Sequence, residues 1–181
     1  MKVTMDSANA SSPLNAILGI IKEITTCEKA GATSAAIILT YVGIDVMAYL
    51  SMPAGQTSQT RSDFINWVNK YLKADSQQVY QYDGKDVYGA RCAMIHTYAV
   101  EADYHQKNAE VKQFGYHDGG RHGYDPNVNA DLVIIGVASL ADDFKKAVMS
   151  FFDDLRTDAG MRARVAARLP KLVQVFPMTG D

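Results

Sequence analysis

The stretch Ala35–Leu50, AAIILTYVGIDVMAYL, constrains this chain more than any other. Wound as a helix it is apolar on nearly every side, and a helix without a polar face has to be covered all round. Thr40, Gly43 and Asp45 interrupt the run, which argues for a buried bundle helix rather than a membrane span of about 20 predominantly apolar residues. Its place is therefore the centre of the fold. Asp45 is out of keeping there, because a buried carboxylate without a partner is costly. Arg91, His96 or a tyrosine such as Tyr88 is the expected partner.

Further helices are expected around that centre. Ser11 or Ser12 caps the first, with Pro13 at its first position and a stripe of Leu14, Ile17, Leu18, Ile21 and Ile24. Gly31 closes it, and Thr33 or Ser34 caps the central helix. Thr60 and Asp63 have the spacing of a capping box before a third helix that buries Phe64, Ile65, Val68, Tyr71 and Leu72. Asp83 caps a fourth, DGKDVYGARCAMIHTY, whose apolar face is Val87, Ala90, Met94 and Tyr98. The expected architecture is mainly α: an antiparallel four-helix bundle with helices near 13–27, 33–50, 61–73 and 84–98.

After Val100 the texture changes. Glu110–Tyr116 and the β-branched Asp131–Ser139 have strand character, and with HDGGRHGYDPNVNA between them they suggest a β-hairpin appended to the helices. Val133, Ile135 and Val137 would pack it onto them. Ser139 and Asp142 would cap a fifth helix carrying Leu140, Phe144, Val148, Phe151, Phe152 and Leu155. A sixth, from about 159 to Leu169, buries Met161 and Val165 and ends at Pro170. Without a repeat or a linker, residues 1–181 are expected to form a single domain: a helical core over about 13–98, with the hairpin and C-terminal helices over about 109–172.

Arg91 and His96 are the pair that most resembles a chemical site. At about 100° and 1.5 Å per residue they lie roughly 140° apart around the helix and 7.5 Å along it, within reach of a long guanidinium arm. Arginine brings a permanent charge and a planar fork of donors suited to phosphate; histidine titrates near neutrality and can move a proton. That is the minimum kit for cleaving a phosphodiester through its own 2′-hydroxyl, with no metal or other cofactor. Asp45 would orient Arg91. The competing account is structural: Arg91 neutralised by a buried carboxylate, and His96 satisfying a hydrogen bond near the helix end.

RCAMIH matches the Arg-x4–6-His signature of the HEPN superfamily, helical-bundle domains of bacterial toxins, defence proteins and RNA-processing enzymes, in which the motif sits late in a four-helix bundle. The chain also resembles a group of small uncharacterised bacterial proteins through TRSDFINWVNKYL at Thr60–Leu72 and DVYGARCAMIHTY at Asp86–Tyr98. The HEPN resemblance implies a HEPN-like fold and a metal-independent endoribonuclease with Arg91 and His96 as its catalytic residues, supported by Asp45. Active members usually carry Asn, Asp or His directly after the arginine; Cys92 stands there in this chain. One His and one Arg supply only part of what 2′-hydroxyl cleavage needs, so a homodimer with two facing motif helices is expected, with RNA as partner. The alternative is a non-catalytic helical module that binds a nucleotide, RNA or protein, with Asp45, Arg91 and His96 as a structural network.

Other features are weaker. His105, His117, Asp118 and His122 match no standard metal spacing, and the turn-rich loop 117–130 looks mobile. Arg156, Arg162, Arg164, Arg168 and Lys171 could track phosphate or simply form a solvated face. A formal net charge of −2 gives no global field toward nucleic acid or membrane. Cys27 and Cys92 have no paired spacing, and MKVTMDSANASS lacks a signal-peptide core, which together suggest reduced thiols in a cytoplasmic protein.

Overall fold

The computed structural model describes residues 14–73 and 75–173, so the expected cap at Ser11 or Ser12 and the role of Pro13 lie outside the described residues. Among the described residues seven α-helices and one two-stranded sheet follow in order. Helix α1 (Leu14–Lys29) and α2 (Thr33–Ser51) are joined by a short turn that Gly31 enters at φ 68°, which folds α2 back onto α1. Helix α3 (Arg61–Trp67) runs into a π-helical turn (Val68–Leu72), and α4 (Gly84–Thr97) carries the Arg91–His96 motif. A short α5 (Asp103–Lys107), not expected from the sequence, precedes β1 (Gln113–His117) and β2 (Leu132–Gly136). Helices α6 (Val137–Thr157) and α7 (Ala159–Arg168) follow, the latter ending in a 3₁₀ turn at Leu169–Lys171.

As its all-round apolarity requires, α2 is central: it packs against α1, α3, α4, α6 and α7. Ile37, Tyr41, Ile44, Met47, Ala48 and Leu50 are buried along it. It is the one described helix long and apolar enough to cross a membrane, and half of that stretch is buried inside the protein. Gly43 has a specific reason to lie mid-helix. The Phe144 ring of α6 rests on its backbone where any Cβ would stand, so the gain in packing offsets glycine's cost of about 1 kcal/mol in a helix interior. At the far end, Arg168 donates to the carbonyls of Leu50, Met52 and Pro53, satisfying acceptors that the helix terminus leaves free.

The strands are not a hairpin. They pair parallel, with Gln113 opposite Leu132 and His117 opposite Gly136. Two features favour this. Parallel strands need a connection of about a dozen residues or more, which 118–131 provides, and LVIIG is a continuous apolar run of the kind a strand covered on both faces carries. The returning connection adds an antiparallel bridge between Gly123 and Ile134 and passes so close to Gly136 that a side chain there would meet the Gly120 carbonyl. Val133 and Ile135 are fully buried, and Val137, which already belongs to α6, is buried beside them in the core.

That helix starts earlier than Ser139 and Asp142 suggested: Gly136 is its N-cap, Ser139 lies inside it, and Asp142 is exposed and paired with Lys145. Other expectations shift by single residues. Leu18 faces outward at 51% exposure, while Ile17 and Ile24 are buried. Trp67, absent from the expected stripe of α3, is buried against Phe144 and Tyr71. Tyr98 is 65% exposed because it has already left the helix.

Candidate functional site

Helix α4 is pinned at both ends, and that fixes its motif. Asp83 and Asp86 form a reciprocal capping box: Asp83 accepts from the amides of Lys85 and Asp86 at 2.7 and 3.3 Å, and Asp86 accepts from the Asp83 amide at 2.9 Å. The other oxygen of the buried Asp86 accepts from the Lys112 amide at 2.7 Å, tying the helix start to the approach to β1. At the far end Tyr98 takes a left-handed conformation, φ 52°, the only positive φ at a non-glycine among the described residues. The Ala99 amide donates to the Ala93 carbonyl across that turn, and the Tyr98 hydroxyl donates to Ser34 at 2.6 Å, bracing a backbone that β-carbons disfavour. His96 lies in the last helical turn before this brace.

Asp45 of α2 meets Arg91 of α4 as its burial demands. One carboxylate oxygen, Oδ2, accepts from Arg91 Nε at 2.8 Å and from Nη2 at 2.6 Å, while Gln59 donates to Oδ1 at 3.4 Å. With two points of its fork held, Arg91 turns its remaining nitrogen, Nη1, to His96 Nε2 at 3.1 Å. Guanidinium cannot accept a hydrogen bond, so Nε2 is the acceptor and the neutral ring carries its proton on Nδ1. The pair is unequal. Burial pushes the Asp45 carboxyl up, and Arg91, followed by Gln59, draws it back only in part. Burial also opposes the Arg91 charge, but Asp45 outweighs it and Arg91 ends above its ordinary range.

His96 opens onto a cleft of about 620 Å³ between α3, α4 and α5, which Arg61, Tyr88, Cys92, Tyr104 and Lys107 also line. Tyr88 does not reach Asp45. Its ring stands edge-to-face to Tyr104 with centroids 5.0 Å apart, and burial, followed by the neighbouring Cys92 thiol, raises its phenol. Arg61 lies over both rings, 4.6 Å from the Tyr104 centroid and 5.4 Å from that of Tyr88. Arg61 and Tyr104 have no role in the expectations from sequence, and Tyr88 enters them only as a partner for Asp45; the fold alone brings the three together. Cys27 and Cys92 are both free thiols, and Cys92 alone of the two reaches the cleft.

The histidines of the loop 117–130 do other work. His117 accepts from the Gly119 amide through Nδ1 and faces the Arg121 carbonyl through Nε2 at 3.0 Å, so both ring nitrogens are spent on the turn. His122 is not on a mobile surface at all: its side chain is 1% exposed, held between β2, α6 and the segment before α4. Its Nδ1 accepts from the Gly136 amide at 3.2 Å, so its Nε2 proton faces Asp143 at 3.5 Å and the Tyr82 hydroxyl at 3.3 Å. Burial pushes the Tyr80 and Tyr82 phenols up, with the Asp143 carboxylate adding to it. His105 is buried too, its Nδ1 accepting from the Ala102 amide at the start of α5. No group of three or more metal-binding side chains forms among the described residues.

Three of the five basic C-terminal residues are engaged within the protein rather than left to a phosphate. Arg168 is consumed by the end of α2, Arg162 donates to the carbonyls of Leu155 and Arg156, and Arg156 pairs with Asp153 at 2.7 Å. No family model, curated protein or solved structure matches this chain. What the site can do follows from its own atoms.

Proposed function

We propose that the chain is a metal-independent endoribonuclease of HEPN type, a cytoplasmic single-domain protein with a HEPN-like helical bundle, working as a homodimer in a stress or defence setting. The observation that carries this reading is the arrangement of Arg91: two nitrogens fixed on Asp45 and the third aimed at His96 beside an open cleft. An arriving phosphodiester competes for that third nitrogen. Its oxygen takes the Arg91 donor, and the lone pair of His96 Nε2 becomes free. Nε2 then removes the 2′-hydroxyl proton, O2′ attacks phosphorus, and the P–O5′ bond breaks. The leaving oxygen takes its proton from the protonated imidazole of a second copy of the chain, and the products are a 2′,3′-cyclic phosphate and a 5′-hydroxyl.

The test is cleavage of RNA in EDTA by the folded protein and its variants. Both Arg91→Ala and His96→Ala should lose activity by about 10²-fold or more, and Asp45→Asn by less, since it acts through Arg91. A folded His96→Ala protein that cleaves as fast as its parent would sink the nuclease. The second reading, a non-catalytic module that binds a nucleotide, RNA or protein, draws on two observations: His96 Nε2 is already engaged by Arg91, and Cys92 stands where active HEPN nucleases carry a polar residue.

A further inference from the structure

Arg61 takes no part in the chemistry of Arg91 and His96, yet it is held in an unusual way. Two tyrosine rings support its guanidinium, and no carboxylate pairs with it among the described residues. Aromatic faces hold a cation in place without neutralising it, so its charge and planar donors stay available to a ligand. The residue is exposed and forms one wall of the cleft that His96 also lines.

The other charges of the cleft narrow the ligand. Lys107 adds a cation at its rim, but Asp103 lies 3.9 Å from it, and Glu101 is also in the lining, accepting from Gln113. Two cations against two carboxylates give no continuous positive track for a polyanion. One phosphate on Arg61 is what the balance accommodates. The volume, about 620 Å³, sits inside the range of roughly 300–1,000 Å³ typical of small-ligand pockets. It has room for a base and sugar as well, and a base can stack on an arginine plane as it does on an aromatic ring.

We propose that this cleft binds one base–phosphate unit, with the phosphate on the Arg61 fork and the base against the guanidinium and the two tyrosines. In the nuclease this unit is the nucleotide flanking the scissile phosphate, because His96 borders the same cleft; that placement rests on the function proposed above, while the base–phosphate site itself does not. The unit can come from single-stranded RNA or from a free mononucleotide.

Fluorescence anisotropy separates these sources, with a labelled short single-stranded oligoribonucleotide as one probe and AMP as competitor in the other arm. The protein is the His96→Ala chain, so that bound RNA is not consumed. Base stacking and a charged contact each contribute about tenfold or more to binding, so Arg61→Ala should weaken both probes at least that much. Arg61→Lys keeps the charge but not the planar fork. It should weaken binding nearly as far, and it guards against a misfolded alanine variant when thermal melting shows it intact. If RNA binds and both folded Arg61 variants bind it as tightly as the parent, the site is overturned while the nuclease, assayed by cleavage in the parent, still stands. If AMP binding depends on Arg61 but the parent cleaves no RNA, the site stands for free nucleotide and the nuclease is lost. Failure of the folded parent chain to bind either probe overturns the proposal.

Discussion

Two aspartate–histidine constellations stand among the described residues, and exposure to solvent distinguishes them. Asp45, Arg91 and His96 meet beside a cleft that His96 lines, with Arg91 and Asp45 side chains 21% and 23% exposed and His96 open to solvent. His122 and Asp143 meet in the interior at 1% and 2%. The open site has a permanent cation with one donor left to reassign. The sealed site spends both imidazole nitrogens inside the protein, one on the Gly136 amide and the other facing Asp143 and Tyr82. The same residue types thus serve opposite ends. Where a ligand can enter, an incomplete network is a resource; where none can, the imidazole ties three segments of chain together, although Asp143 Oδ2 itself accepts no hydrogen bond among the described residues.

The largest expected effect tests that contrast directly. His122→Ala should cost about 3–5 kcal/mol, because it strands Asp143 and the Gly136 amide in a dry interior. His96→Ala, at an exposed position, should stay within about 0.5 kcal/mol of the parent. Urea unfolding of both variants gives the two numbers. Equal costs would mean that His96 is as structural as His122, and the open site would lose its distinction.

How much of this was legible in the sequence follows the same divide. An apolar helix interrupted by one aspartate states its problem on its face, so the centrality of α2 and the partnership of Asp45 with Arg91 could be read directly. The capping box at Thr60–Asp63 and the N-cap at Asp83 were legible because they are local, although the answering carboxylate of Asp86 was not foreseen. His122 was not. It lies in a stretch of glycine, aspartate and asparagine whose composition signals exposed turns, and its burial depends on a parallel strand pair that only the folded 118–131 connection makes. Arg61 escaped for a related reason: Tyr88 and Tyr104 come to it from two different helices. Local chemistry was readable, and so was the one distant contact that a half-buried carboxylate demanded; contacts that only the topology sets were not.

A smaller effect should reach one site and spare the other. Gly43→Ala places a methyl group where the Phe144 ring lies, and overpacking of this kind costs typically about 1–3 kcal/mol. Phe144 is the neighbour of Asp143 on α6, so displacing it disturbs the sealed network first. Trp67, the only tryptophan in the chain, has its ring centroid 6.3 Å from that of Phe144 and should report the shift as a changed emission spectrum. RNA cleavage by the protein that remains folded should be unaltered. An unchanged spectrum with a full loss of stability would place the strain somewhere other than Phe144.

The smallest effect concerns the sign of one titration. Burial holds the Asp45 carboxyl above its ordinary value of 3.8, Arg91 notwithstanding, so the folded protein binds that proton more tightly than the unfolded chain does. The stability this contributes is fully present below 3.8 and is lost as pH rises through the raised folded value. Asp45→Asn cannot ionise and lacks the slope. The parent should therefore lose stability relative to Asp45→Asn as pH climbs from about 3 to about 7, by about 1 kcal/mol or less for a partly solvated group. Were Asp45 kept chiefly as a stabilising ion-pair partner, its carboxyl would be depressed and the slope would run the other way. Denaturant midpoints for both proteins at several pH values decide between them. The expected sign means that the ionised Asp45 contributes less to the fold than its protonated form does, even with two nitrogens of Arg91 on its carboxylate.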